Sequence, residues 1–124
     1  MKILVVDDEP MQLKSMKIGL RTEGYSVVTA ESAEETLKLL KSDPGVDLII
    51  TDFLMAGMSG LGLLKAIRAF NSAIPVILMT AYGKKDLVVE AWKNQCSGFI
   101  DKPFSLEQLL TEINRVRNIE NAKH

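Results

Sequence analysis

Apolar residues in this chain fall into two patterns. Short strand-like runs, mostly apolar, occupy residues 3–6, 26–30, 48–51, 76–79 and 99–100, and between them apolar residues recur at three- and four-residue spacing. Continuous runs rich in β-branched residues and followed by turn chemistry predict strands buried on both faces; the three-four spacing predicts amphipathic helices. Residues 11–23 form one such helix, with Pro10 at a plausible first helical position and Gly24 just beyond its end. Ser32 with Glu35, and Ser105 with Gln108, give capping boxes before the stripes Leu37, Leu40 and Leu106, Leu109, Leu110, Ile113, Val116. Leu87, Val88, Val89, Ala91 and Trp92 make an apolar patch on the fourth helix, most of it core with one edge open to a partner. Strand and helix alternating five times predict an α/β, doubly wound (βα)5 fold: a five-stranded parallel sheet with right-handed crossovers and helices on both faces. The polar stretch from about Asn118 reads as a tail that frays or begins a linker, which sets the domain at 1–117 and the tail at 118–124.

Composition narrows the chemistry. A chain of 124 residues builds one domain with an adequate core. With 15 Lys+Arg against 16 Asp+Glu, no global charge advertises nucleic acid or an anionic membrane, and no helix shows a basic recognition face. One cysteine, Cys96, excludes an internal disulfide, and with His124 as the single histidine it argues against zinc or Cys/His catalysis. The start of the chain lacks the basic-then-apolar layout of a signal peptide, and no apolar run approaches the ~20 residues of a membrane span. The expectation is a reduced, cytoplasmic protein.

In a parallel sheet of this kind, ligands bind beyond the carboxyl ends of the strands. Those ends carry Asp7-Asp8-Glu9, Thr51-Asp52, Thr80-Ala81 and Asp101-Lys102-Pro103. Several carboxylates gathered there repel one another unless one is protonated or a cation neutralises them. Mg²⁺, or Mn²⁺ in its place, takes oxygen ligands and keeps positions open for water or a phosphate oxygen, and Asp7, Asp8 and Asp52 suffice to hold it. A cation and the Lys102 ammonium together would let a carboxylate act as nucleophile toward phosphorus, with the Thr80 hydroxyl donating to a phosphoryl oxygen. Glu9 reads as a helix-start acid favoured by the helix dipole. The glycines of "GMSGLG" at 57–62 lack a P-loop lysine-serine pair and read as turn residues.

The ordered set "VVDDEP", "IITDFLMAGMSG", "ILMTAYG" and "GFIDKPF" resembles the response-regulator receiver domains (CheY-like) of two-component signalling, over residues 2–117. The resemblance implies a flavodoxin-like strand order 2-1-3-4-5, Asp52 as phosphoacceptor, Asp7 and Asp8 as the acidic pair serving Mg²⁺, and Lys102 as the phosphate-contacting lysine. It also implies the Leu54 backbone carbonyl as a further metal ligand, Thr80 as switch hydroxyl, Phe99 as switch aromatic, and a cis bond between Lys102 and Pro103. Leu54, Ala81 and Tyr82 fall at positions flanking the phosphoryl group, where the apolar side chains would shield it and slow its hydrolysis. Ala56 stands where the family usually has proline and Gln95 where many members have glycine, which alters loops but removes no ligand.

The function implied is a phosphorylation-activated switch. It would catalyse its own phosphorylation from phosphohistidine or small phosphodonors, and its own slow dephosphorylation, without otherwise being an enzyme. The phosphate would act on the face of the fourth helix, fifth strand and fifth helix. The implied partners are a sensor histidine kinase or phosphotransfer protein, an output domain or target protein, and a second copy in a phosphorylation-dependent homodimer, with no direct nucleic-acid or membrane contact. The motifs resemble receivers of enhancer-binding transcription activators as well as single-domain and hybrid-kinase receivers. Three other readings exist. A phosphorylation-independent binding module would have the same fold. A flavodoxin-like cofactor binder would have to place phosphate against three carboxylates. A metal-dependent phosphohydrolase would lack the second acid of its nucleophile motif, because Leu54 lies two residues after Asp52.

Overall fold

The computed structural model describes residues 1–55, 57–71, 73–81 and 85–122, without the side chains of 81 and 85–88. Ala56, Tyr82 and His124, and the side chains of Ala81, Leu87 and Val88, therefore lie outside the described residues. The elements alternate as β1 (Lys2–Val6), α1 (Pro10–Thr22), β2 (Ser26–Ala30), α2 (Ala33–Ser42), β3 (Leu48–Asp52), α3 (Gly60–Phe70), β4 (Val76–Ala81), α4 (Lys85–Lys93), β5 (Gly98–Lys102) and α5 (Leu106–Ala122). The strands form one sheet in the order β2-β1-β3-β4-β5, and each neighbouring pair is parallel.

Strand periodicity divides the core in two. Ile3, Val5, Leu48, Ile50, Ile77 and Met79 pack with Leu13, Met16 and Leu20 of α1 and Leu109, Ile113 and Val116 of α5. Leu4, Val6, Ile49, Val76 and Leu78 face the opposite way, onto Leu40 of α2, Leu63, Leu64 and Ile67 of α3, and Ala91 of α4. Both faces of the central strands are covered, which is why their sequences are continuously apolar.

Local chemistry sets the helix ends. Pro10 opens α1, and Gly24, at φ 94°, follows its end in the left-handed region that glycine tolerates. Ser32 Oγ accepts from the Glu35 N–H at 3.1 Å. The return bond from the Glu35 carboxylate goes to the Glu31 N–H rather than to that of Ser32. The α5 box is fully reciprocal: Gln108 N–H donates to Ser105 Oγ at 3.1 Å, and Ser105 N–H to Gln108 Oε1 at 2.8 Å.

Several boundaries differ from expectation. β4 and β5 run further toward the carboxyl edge, because Thr80 pairs with Asp101 and Ala81 with Lys102 in a ladder made by the backbone whatever the side chains carry. Residues 118–122, expected as a fraying polar tail, are the last turns of α5. Ile119 lies three residues after Val116 on the helix, and the residues around it contain no proline or glycine to stop it.

Candidate functional site

The carboxyl ends of β1, β3 and β5 bring three oppositely charged side chains together. Asp7 directly follows β1 and donates its N–H to Ala30 O at 3.1 Å, which continues the ladder one residue past the strand. Its side chain is fully buried, and Oδ1 accepts the Glu9 N–H at 3.0 Å. Asp52 ends β3, is 9% exposed, and is locked by the next residue, whose N–H donates to Met79 O at 2.8 Å. Lys102 ends β5, and its Nζ lies 3.2 Å from Asp7 Oδ2 and 3.2 Å from Asp52 Oδ2. The three share the parity of Val5, Ile50 and Ile100, so alternation aims them to the same side of the sheet.

Asp8, two residues beyond β1, is exposed and contributes an oxygen within 4.8 Å of oxygens from Asp7 and Asp52. Three convergent carboxylate oxygens form a hard donor set. Octahedral Mg²⁺, with ligands at about 2.1 Å and several waters retained, needs oxygens of this kind spaced only slightly more closely. The residues present therefore fit a divalent cation.

Burial pushes the Asp52 carboxyl above its ordinary range, by more than the Lys102 ammonium lowers it, and the neighbouring Asp7 charge adds to the rise. Burial opposes the charge on Lys102, but Asp52 and Asp7 together outweigh it and hold the ammonium above the usual lysine range. Relative to the free side chains, Asp52 is shifted toward its neutral form and Lys102 toward its charged form.

Gly60 fixes the loop beneath the site. Its N–H donates to Phe53 O at 2.7 Å, and a Cβ there would lie 2.6 Å from Phe53 Cα and 2.7 Å from Asp52 O. Ser59 caps α3 by accepting from the Gly62 N–H at 3.1 Å. Gly57 lies in a turn at φ 85°, whereas Gly60 and Gly62, expected as turn residues, fall in the first turn of α3.

Thr80, 1% exposed, sits on the other side of the sheet and donates its hydroxyl to Asp101 Oδ1 at 3.0 Å. Phe99, on the same side of β5, meets Trp92 of α4 edge-on, with ring centroids 5.8 Å apart at 77°. The Lys102–Pro103 bond is cis, as the resemblance implied. Leu54 is 54% exposed at the rim, and its N–H reaches Asp52 Oδ1 at 3.4 Å. Cys96 is buried, and burial pushes its thiol up to about 11.

Sequence reasoning assigned no role to Asp101 as the partner of Thr80, to Trp92 as the prop of Phe99, or to Glu112. Glu112 Oε2 accepts the outward N–H of Phe99 on edge strand β5 at 3.1 Å, and Arg115 grips the same carboxylate at 2.7 and 2.9 Å. The Thr80–Asp101 pair had a signal, since each lies one residue before the end of its strand. The other two depend on helix placement.

The family described as response regulator receiver domain matches residues 3–114. The transcriptional regulatory protein GlrR of Escherichia coli is 40% identical over 111 residues, which are 90% of this chain and 25% of that protein. The chemotaxis protein CheY of Pseudomonas aeruginosa is 36% identical over 119 residues, 94% of this chain and 95% of that one. Among solved structures, a response regulator receiver domain protein from Clostridium thermocellum superposes with a TM-score of 0.92 at 31% identity, covering 99% of this chain and 98% of its own. NtrX from Brucella abortus gives 0.91 at 28% identity, covering 98% of this chain and 28% of its own. The chain belongs to the response regulator receiver domain family of two-component signalling. It spans about a quarter of the length of the transcriptional regulators it matches and nearly all of CheY. Among the described residues, no helix is long and apolar enough to cross a membrane.

Proposed function

We propose that this receiver is a cytoplasmic switch that takes a phosphoryl group onto Asp52 from a sensor histidine kinase or phosphotransfer protein. The observation carrying this reading is the Lys102 ammonium 3.2 Å from both Asp7 and Asp52. That arrangement fixes a cation beside the one carboxylate on β3, where charge on a transferring group would develop. An Asp52 oxygen attacks phosphorus, the phosphorus–nitrogen bond of a phosphohistidine breaks, and its electron pair leaves on the imidazole. Lys102 meets the phosphoryl oxygens. Mg²⁺ held by Asp7, Asp8, Asp52 and the Leu54 carbonyl supplies, when bound, further neutralisation of the charge on the transferred group. The exposed Leu54 side chain shields the acyl phosphate and slows its hydrolysis.

The new phosphate adds roughly one and a half to two negative charges and fresh acceptor oxygens. Thr80 turns its hydroxyl toward them, Phe99 moves into the vacated space, and the α4-β5-α5 face changes shape for an output domain, a target protein or a second copy. Two discrete packings make so small a motion legible at the surface. The folded domain runs through α5 to Ala122, beyond the 117 expected from the sequence. A flavodoxin-like cofactor role is disfavoured, because the buried Asp7 stands where a cofactor phosphate would lie.

Intact mass after incubation with acetyl phosphate and Mg²⁺ tests the reading. The expected result is a gain of one phosphoryl group, lost in Asp52→Asn and in EDTA. Undiminished gain in Asp52→Asn would move the acceptor elsewhere, and no gain in the wild type would leave a binding module independent of phosphorylation.

A further inference from the structure

We propose that Asp101 is the resting-state latch of the switch: its carboxylate holds the Thr80 hydroxyl in the unphosphorylated domain and so sets how readily the phosphorylated packing is reached. The inference rests on the reading of Asp52 as phosphoacceptor and Thr80 as switch hydroxyl.

Thr80 is buried almost completely, so its hydroxyl cannot turn to bulk water, and a hydroxyl has one proton to donate. That proton goes to Asp101 Oδ1 at 3.0 Å, a charge-assisted bond stronger than a neutral one. The pairing is built into the sheet. Thr80 and Asp101 are register partners of β4 and β5, and directly opposed residues project to the same face. Asp101 itself is exposed and can be hydrated without Thr80, so the bond serves the threonine. A phosphoryl oxygen can take the hydroxyl only by competing against a carboxylate already in contact with it.

Asp101 adds a second resistance. It precedes Lys102, the ammonium that meets the phosphoryl group, so its negative charge lies close to the incoming one and opposes it. Both effects favour the resting packing. Phe99 lies two residues earlier on the same side of β5, its ring edge against Trp92, so release of the latch and reorientation of the aromatic occur on one short strand. Trp92 is the single tryptophan of the chain and reports that reorientation by its emission.

The test compares wild type, Asp101→Ala, Asp101→Asn, Thr80→Ala and Thr80→Ala/Asp101→Ala, titrated with acetyl phosphate in Mg²⁺ and read by intact mass and Trp92 fluorescence. Asp101→Ala is expected to reach the wild-type phosphoryl stoichiometry and to show, before any phosphodonor, part of the spectral change that wild type shows only afterwards. Its half-maximal acetyl phosphate concentration should fall about three- to tenfold, the equilibrium worth of one net hydrogen bond. Asp101→Asn, which keeps a neutral acceptor, should lie between the two. In the Thr80→Ala background, Asp101→Ala should shift the midpoint by less than it does in wild type, because only the charge effect is left to remove. A wild-type response in Asp101→Ala, or the same shift with Thr80 absent, overturns the latch while leaving phosphorylation of Asp52 intact. Absence of a phosphoryl gain in wild type overturns both.

Discussion

Gly60 shows how little room the site leaves. Its missing side chain lets the start of α3 close onto the backbone of residues 52 and 53, at distances no real Cβ tolerates. Gly60→Ala should therefore cost about 1–3 kcal/mol, the range for overpacking, because the atoms in the way are backbone. Urea melts would measure that loss, and a midpoint equal to wild type would show that the loop yields freely. Asp52 carries a second expectation. Burial raises its native pKa, so the folded state binds that proton more tightly than the unfolded chain, whose aspartates titrate near 3.9 (about). Stability from this group is therefore lost as pH rises from the unfolded value through the native one. Asp52→Asn removes that penalty, and Lys102 keeps Asp7 as its partner. In EDTA the variant should melt higher than wild type at neutral pH, with the gap closing as pH falls toward about 4. A gap independent of pH would point to packing instead. The carboxylates and Lys102 were readable from sequence, because strand ends are marked by where apolar runs stop. The partner of Thr80 was not, because choosing Asp101 required the register of two strands whose ends had been placed short.

At the scale of elements, β5 is the exposed edge of the sheet, and α5 covers part of it. The Glu112 carboxylate, braced by Arg115, takes the outward N–H of Phe99, and Arg115 also donates to Ser97 O at 3.2 Å. A Cβ on Gly98 would lie 2.5 Å from Glu112 Oε2 and 2.7 Å from Arg115 Nη2, so a side chain there would push these two flexible groups aside. Glu112→Ala should speed hydrogen exchange at the Phe99 amide and lower stability by about 1 kcal/mol, the net worth of one such bond. Unchanged exchange at that amide would show that the strand edge is held by something else. Arg68 does a similar job between α3 and the turn before β5, donating to Ile74 O at 2.6 Å and to Gln95 O at 2.8 and 3.0 Å. Gln95 adopts φ 66°, in the left-handed region that favours glycine, and its carbonyl is fixed by that guanidinium. Helix starts with a serine three residues before a Glu or Gln were legible in sequence. The α3 start at Ser59 was obscured by its glycines, and the end of α5 by polar residues that favour helix as readily as tail.

For the whole molecule, the alternation of apolar runs with three-four stripes was enough to give parallel strands covered on both sides, whereas the strand order came from the resemblance. Hydrophobic pattern says which faces are buried but not which strand lies beside which. The sheet gathers Asp7, Asp8, Asp52 and Lys102 at one edge, where a bound metal would be coupled to folding. A divalent cation that binds only the folded domain should stabilise it by about 2.7 kcal/mol at one hundred times its dissociation constant. Thermal melts with and without Mg²⁺ should show this as a rise for wild type that is largely lost in Asp8→Asn, and an equal rise in that variant would exclude Asp8 as a ligand.

The position of the strands also imposes an order in time. β1 lies inside the sheet between β2 and β3, while β5, last in sequence, closes one edge and brings Lys102. A chain leaving the ribosome thus releases Asp7, Asp8 and Asp52 well before the ammonium that sits between them. A product that stops short of residue 102 has the acids without their counter-charge and lacks the strand that pairs with Thr80. Such a fragment cannot present the proposed acceptor in finished form, so on that proposal competence to take a phosphoryl group doubles as proof that the domain was made to its last strand.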